Sequence, residues 1–196
     1  MKSSPAALRN REVIANVLSD VLPDAGRVLM IAEGSGEHAV HLAAKFPALD
    51  WYPTDPDPDA LASIEGYRCQ AGLPNLHSAR PLNAANADWP LPSADAITCI
   101  NMIHISPWAA TEGLMRGAAR LLGDDGILYL YGPYIRGGVE TAPSNLDFDA
   151  SLRSRNPAWG LRQLEDVTAL AAASGLNMTE VRNMPANNLS VVFRRR

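Results

Sequence analysis

Apolar positions along the chain switch repeatedly between a helical period and short continuous runs, a pattern that predicts helices alternating with buried parallel strands. Ser4-Pro5 offers a cap and a first-turn proline. Leu8, Val13, Ile14, Val17 and Leu18 follow at helical spacing, predicting an amphipathic helix over residues 4–20. Arg27 to Ala32 is short, apolar and partly β-branched, as a strand buried on both faces should be, and it runs directly into Gly34-Ser35-Gly36. From Glu37, residues Ala39, Val40, Leu42, Ala43 and Phe46 predict a second helix that stops before Pro47, because the residue preceding a proline avoids helical geometry. A second strand, Leu49 to Pro53, leads to Asp57-Pro58-Asp59. This is a capped helix start with acidic groups at the positive end of the helix dipole, and Gly72-Leu73-Pro74 closes that helix.

The alternation continues with a weaker third strand near Arg80 to Leu82 and a fourth from Ala94 to Asn101. Ser106-Pro107-Trp108 repeats the cap-and-proline signature before a helix containing Leu114, Met115, Ala118 and Leu121, closed by Gly123, and Gly126 to Tyr131 is the fifth strand. Residues 132–160, rich in Gly, Pro, Ser and Asn, break the alternation with only a short helical pattern near Phe148 to Leu152; an insertion of this length usually carries function. A helix from Leu161 to Ala173 ends at Gly175. Met178 to Met184 and Leu189 to Arg194, joined by Pro185-Ala186-Asn187-Asn188, predict an antiparallel hairpin over 178–194. The expectation is an α/β fold on a mostly parallel sheet, as one domain over residues 1–196.

Composition narrows the classes. With 196 residues, 47% of them hydrophobic and 19% charged, the chain suits a single core. No segment approaches the roughly 18 apolar residues that a membrane helix needs, so no membrane partner is expected. Met1-Lys2-Ser3-Ser4-Pro5 has one basic residue and no apolar run behind it, which does not read as a secretory signal and makes the cytoplasm the expected location. Cys69 and Cys99 form no CxxC pair and read as reduced, buried thiols. The net charge of -4 offers phosphate backbones no general attraction. Arg194-Arg195-Arg196, the one basic run, reads as a solvated tail, so no nucleic-acid partner is expected. His41 and His77 lack partners at metal-ligand spacing, and no metal site is expected.

Gly34-Ser35-Gly36-Glu37-His38-Ala39 satisfies G-x-G-x-x-A between a predicted strand and helix, with Asp55 about 20 residues on at the end of the next strand. Small residues let the backbone approach an adenosine-containing ligand, and a carboxylate after the second strand accepts hydrogen bonds from ribose hydroxyls. A dinucleotide and S-adenosylmethionine both fit this logic, and a tight turn without a ligand satisfies the local pattern too. The only lysines are Lys2 and Lys45, and neither completes the Tyr-x-x-x-Lys pair expected of a single-domain nicotinamide oxidoreductase. The length that a second mononucleotide-binding half would need is taken by the insertion and the hairpin, which favours the methyl donor.

With these features in place, nearly the whole chain resembles the class I S-adenosylmethionine-dependent methyltransferases. More narrowly it is similar to the DUF938 family, which includes the methyltransferase-like 26 proteins. The likeness is carried by Ser4-Pro5-Ala6 with Arg9-Asn10, the glycine turn, Asp55-Pro56-Asp57-Pro58 and Cys99 to Trp108. It continues in Tyr131-Gly132-Pro133-Tyr134, Asn156-Pro157-Ala158-Trp159-Gly160 and Met184 to Leu189. The resemblance implies a Rossmann-like, seven-stranded, mostly parallel sheet with an antiparallel last strand and helices on both faces. It further implies S-adenosylmethionine as cofactor, across the carboxyl ends of strands one to four. Gly34, Ser35 and Gly36 would lie beneath the methionine part, Asp55 on the ribose, Asn83 and Ala84 beside the adenine, and Asn101 near the methionine or sulfonium end. Two positions depart from the family pattern: Met30 and Asn83 stand where acids are usual. Glu33 is the carboxylate expected to compensate for Met30 at the donor, and an amide oxygen at Asn83 can still accept a hydrogen bond from the adenine amino group.

Methyl transfer to oxygen or nitrogen needs alignment and, for a protonated acceptor, a base. His104, three residues past Asn101, is the candidate base, with a histidine bonded to the following helix cap as the alternative. His38, in the first helical turn after the glycines, is expected to contact the donor or loop backbone. Tyr131 and Tyr134 flank Gly132-Pro133 as a rim, and strand alternation favours Tyr131 as core with Tyr134 at the rim. Arg9 and Asn10 suit either a lid or a plain surface helix. Ser144, Asn145, Trp159, Asn187 and Asn188 are acceptor-site candidates, although each alone also suits turn chemistry. The expected function is methyl transfer to a small polar acceptor, at oxygen or nitrogen. Donor binding without transfer and a nicotinamide oxidoreductase remain as alternatives, and a homodimer remains open.

Overall fold

The computed structural model describes residues 1–196. In chain order the helices are α1 (Pro5–Val21), α2 (Glu37–Lys45), α3 (Pro58–Ala71), α4 (Trp108–Leu121), α5 (Pro143–Arg155) and α6 (Leu164–Ala173). The strands are β1 (Gly26–Ile31), β2 (Leu49–Asp55), β3 (Arg80–Pro81), β4 (Ala94–Ile100) and β5 (Leu122–Gly132), then β6 (Tyr134–Ile135), β7 (Arg162–Gln163), β8 (Leu176–Met184) and β9 (Asn188–Arg195). Val28 and Met30 of β1 pack on one face of the central sheet, Leu29 and Ile31 on the other. Successive strand side chains point to opposite faces, so this one alternation requires two apolar layers. α1 and α2 cover the first face; α4 and α6 cover the second.

Seven strands form the sheet in the order β3-β2-β1-β4-β5-β9-β8. The first five are parallel, and β9 runs antiparallel to both β5 and β8. This is the Rossmann-like methyltransferase architecture that the resemblance implied, with helices on both faces and the last strand reversed. The order changes direction between β1 and β4, which opens a crevice at their carboxyl ends, where open α/β sheets bind ligands. The helix caps follow the sequence: Ser4 accepts from the Ala7 amide at 3.2 Å and Asp57 from the Asp59 amide at 2.9 Å. No helix is long and apolar enough to cross a membrane.

The insertion is more ordered than its composition predicts. The helical pattern near Phe148 to Leu152 extends to α5, with Pro143 in its first turn and an Asp149–Arg153 ion pair one turn apart. Only Asn145 and Leu152 of α5 are buried, so it has almost no amphipathic signal. The helix expected from Leu161 begins instead at Leu164, because Arg162 and Gln163 pair as β7 with β6.

Candidate functional site

The turn after β1 is held in an unusual backbone path. Ala32, Gly34 and Gly36 all have positive φ, at 52°, 73° and 100°. For alanine this conformation is costly and persists only where neighbours impose it. Here the neighbours are the end of β2 and α3. The Glu33 amide donates to the Thr54 carbonyl at 3.0 Å, the Gly34 amide to Asp55 Oδ2 at 2.9 Å, and the Ser63 hydroxyl to the Ser35 carbonyl at 2.7 Å. A Cβ on Gly36 would meet the Ile64 Cα at 2.9 Å, so glycine is needed for α2 and α3 to pack. A Cβ on Gly34 would meet nothing within 4 Å, which leaves open space above that residue.

Beside this turn lies a cleft of about 420 Å³, within the roughly 300–1,000 Å³ typical of small-molecule sites. Asp55, Asn83, Ala84 and Asn101, gathered from the ends of β2 and β4 and the loop after β3, all line it. Trp159 lines it too, together with Leu82, Ile105, Ser106 and Ala110, so the insertion contributes to this cleft and not only to an acceptor site. The Gly160 amide donates to the His104 carbonyl at 2.9 Å and anchors the Trp159 loop there. Sequence reasoning missed Ile105 and Ser106, because an apolar residue followed by a helix cap carries no chemical signature. Asn101 takes φ 62°, a left-handed conformation that asparagine tolerates, and it turns the chain from β4 into the following helical turn.

An adenosine-type donor fits these groups. Asp55 is nearly buried, and its two oxygens accept the Gly34 and Asp57 amides, one bond each, leaving lone pairs for ribose hydroxyls. The apolar part of the lining suits a flat heterocycle.

Several sequence-predicted residues lie elsewhere, and Cys69, expected to be buried like Cys99, is exposed on α3. Met30 is 1% exposed in the core beneath α1 and α2, so the position where an acid was expected is apolar and does not face the cleft. Glu33 does not replace it. Its Oε1 accepts the Ala39 amide at 2.9 Å and caps α2, and burial lifts its carboxyl to about 8, with Asp55 and Glu37 adding repulsion. Ser35 is buried against Glu37. His38 is buried as well, 2.8 Å from Asn10 of α1, and burial depresses its imidazole to about 4. Tyr131 is core, 3% exposed. Arg9 is exposed on α1 and lines no part of the cleft.

The expected base, His104, is fully buried; neither ring nitrogen has a partner, and burial followed by the nearby Arg162 charge pushes its imidazole down to about 3. It does not line the cleft. Its Nε2 lies against Gly132, and its ring meets Tyr134 edge-on at 5.1 Å. The placement of Tyr134 differs from the exposed rim expected. It is 5% exposed, its hydroxyl has no partner, and burial raises that hydroxyl well above its ordinary value. Tyr134 lines a second cavity of about 290 Å³, walled by the insertion and by the β8–β9 turn that carries Asn187.

Seven strands in this order, with a glycine turn and carboxylate at the switch point, define the class I methyltransferase fold. The chain belongs to the family described as protein of unknown function (DUF938), whose model matches residues 1–195. Solved structures share the fold at low identity. An O-methyltransferase family protein from Burkholderia thailandensis superposes with TM-score 0.80 at 17% identity, over 97% of this chain and 57% of that one. The S-adenosylmethionine-dependent methyltransferase SibL gives 0.78 at 18%, over 96% and 55%. YcgJ from Bacillus subtilis gives 0.74 at 16%, over 96% and 99%. The chain thus spans little more than half of the first two proteins and nearly all of the third.

Proposed function

We propose that the protein is an S-adenosylmethionine-dependent methyltransferase acting on a small polar molecule, at oxygen or nitrogen. The observation that carries this reading is the convergence of Gly34, Asp55, Asn83, Ala84 and Asn101 on one side of the molecule, with the Gly34 amide bonded to the carboxylate that would receive the ribose. One structural relative is named as an S-adenosylmethionine-dependent methyltransferase and another as an O-methyltransferase family protein, which supports the same donor here. The motif likeness to methyltransferase-like 26 proteins belongs to this reading as well.

The donor would supply an electrophilic methyl group. The chain's residues orient and enclose: Asp55 accepts the ribose hydroxyls, Asn83 and Ala84 flank the adenine, Trp159 covers it, and Asn101 borders the methionine end. With His104 buried and neutral, catalysis rests on alignment and on an acceptor that is deprotonated or gives its proton to solvent. Calorimetric titration with S-adenosylmethionine, S-adenosylhomocysteine and NAD tests this. Micromolar binding of the first two and none of NAD is the expected result; NAD binding alone would overturn it.

Met30 favours a second reading, a donor-binding protein without methyl transfer, because no carboxylate stands at that position to hold the donor's ammonium. Release of S-adenosylhomocysteine across an acceptor screen separates the two.

A further inference from the structure

Two carboxylates hold successive residues of the glycine turn. Asp55 accepts the Gly34 amide, and Glu37 Oε2 accepts the Ser35 hydroxyl at 2.9 Å. Each belongs to a residue only 6% exposed. The other donors to Glu37 are neutral: the Ser4 amide at 2.7 Å, the Ser3 hydroxyl at 3.3 Å and the Tyr67 hydroxyl at 3.4 Å. Neither carboxylate forms an ion pair, although the molecule has eight. Both therefore lack the counter-charge that buried ionised groups ordinarily have.

The surroundings supply none. No lysine, arginine or histidine lines the cleft beside the turn. Asp57, on the cleft wall, is paired with Lys2 at 2.7 Å, so those two charges cancel. His38, next to Glu37 on α2, is neutral because burial depresses its imidazole to about 4, and Glu33 keeps its proton to about 8 and adds no charge near neutrality. What remains is a net negative site, with Asp55 on the cleft wall and Glu37 one hydrogen bond behind Ser35. Residues 1–4 cover Glu37 and brace the turn from the other side. The Lys2 amide donates to the Ser63 hydroxyl at 2.6 Å, and that hydroxyl donates to the Ser35 carbonyl at 2.7 Å.

We propose that Glu37 is a specificity-determining residue. With Asp55 it makes the cleft select adenosine ligands that are positively charged at the 5′ end, so that S-adenosylmethionine, a sulfonium, is held more tightly than its neutral thioether product S-adenosylhomocysteine. Glu37 acts through its field and does not touch the ligand. At an effective dielectric constant of about 20, two unit charges roughly 10 Å apart attract strongly enough for about a tenfold preference. Transfer of the methyl group removes the positive charge, so the product loses this attraction and leaves more readily. A 5′-phosphate or pyrophosphate meets like charge and is rejected. The proposal rests on the methyltransferase reading for its ligands and adds to it a charge preference with a named source.

The test is calorimetric titration of the full chain with S-adenosylmethionine, S-adenosylhomocysteine, adenosine and adenosine 5′-monophosphate. The expected result is that S-adenosylmethionine binds tenfold or more tightly than S-adenosylhomocysteine, and the monophosphate tenfold or more weakly than adenosine. Glu37→Gln should cut S-adenosylmethionine affinity about tenfold and S-adenosylhomocysteine affinity less than threefold. Loosened packing would weaken both ligands alike, so the ratio reports charge. Asp57→Asn retains a good helix cap and frees the Lys2 ammonium at the cleft edge. It should narrow the same ratio at least threefold, which keeps the proposal testable if Glu37→Gln does not fold. Equal or tighter binding of S-adenosylhomocysteine by the native protein, equal binding of adenosine and its monophosphate, or a ratio unmoved by both substitutions overturns the proposal and leaves the methyltransferase reading standing. Failure of S-adenosylmethionine, S-adenosylhomocysteine and adenosine alike to bind overturns both.

Discussion

Asp55 Oδ2 accepts the Gly34 amide at 2.9 Å, tying the end of β2 to the glycine turn after β1 across 21 residues of sequence. Its other oxygen accepts the Asp57 amide at 2.9 Å, which sets the start of α3. One nearly buried carboxylate therefore shapes the cleft and offers it charge. Asp55→Ala should abolish donor binding, and Asp55→Asn should weaken it by tenfold to a hundredfold, the loss of charge-assisted hydrogen bonds worth roughly 1.5–3 kcal/mol. Titration with S-adenosylhomocysteine reads the effect, and unchanged affinity in both variants removes Asp55 from the site.

Buried titratable groups predict the pH range of stability. The unfolded chain ionises Glu33 near 4.5, whereas the native protein keeps the proton until about 8. The native state binds more protons in that window, so this contribution is complete below 4.5 and lost as pH rises to 8. His104 and His38 act in the opposite sense, because unfolded imidazoles take protons below 6.5 and the buried rings resist until about 3 and about 4. Their contribution is complete above 6.5 and lost as pH falls. In melting temperatures from pH 4 to 9, Glu33→Gln should flatten the alkaline decline and His104→Gln should reduce the acid one. An unaltered alkaline slope in Glu33→Gln would show that Glu33 is ionised in the native protein.

Trp159 is half-buried at the cleft with the Arg155 guanidinium 5.6 Å from its ring centre, a geometry that presents an aromatic face. S-adenosylhomocysteine should change the intrinsic fluorescence, and Trp159→Phe should eliminate that change while keeping most of the affinity. Trp159→Ala should weaken binding several-fold to tenfold, as expected for about 1 kcal/mol of lost aromatic contact. A fluorescence change retained in Trp159→Phe assigns it to another tryptophan.

The two glycines of the turn should separate packing from ligand contact. Gly36→Ala drives a Cβ into the Ile64 backbone at 2.9 Å and should cost about 1–3 kcal/mol of stability in urea unfolding. Gly34→Ala places its Cβ in open space, so its stability cost is confined to about 1 kcal/mol of left-handed strain. Its larger effect should be on S-adenosylhomocysteine affinity. Equal loss of affinity in the two variants would contradict this division.

Local rules made much of this protein legible from its residues alone. Helical and strand periods, caps at Ser4 and Asp57, and the glycine turn followed by Asp55 are written in neighbouring residues, because each arises from contacts within a few positions of the chain. They sufficed for the alternation of strands and helices, the terminal hairpin and the glycine turn with Asp55; the seven-stranded sheet with its reversed last strand and the grouping of Asn83, Ala84 and Asn101 with Asp55 were what the resemblance to class I methyltransferases implied. What only the tertiary structure decided depends on distant packing. Whether His104 faces a cleft or the core is set by Gly132 and Tyr134, nearly 30 residues on. Glu33 caps α2 and does not meet the donor because the turn's path, imposed by β2 and α3, aims it at Ala39. α5, with two buried residues, owes its place to Asn145 and the distant turn at Asn187, a contact that no periodicity announces.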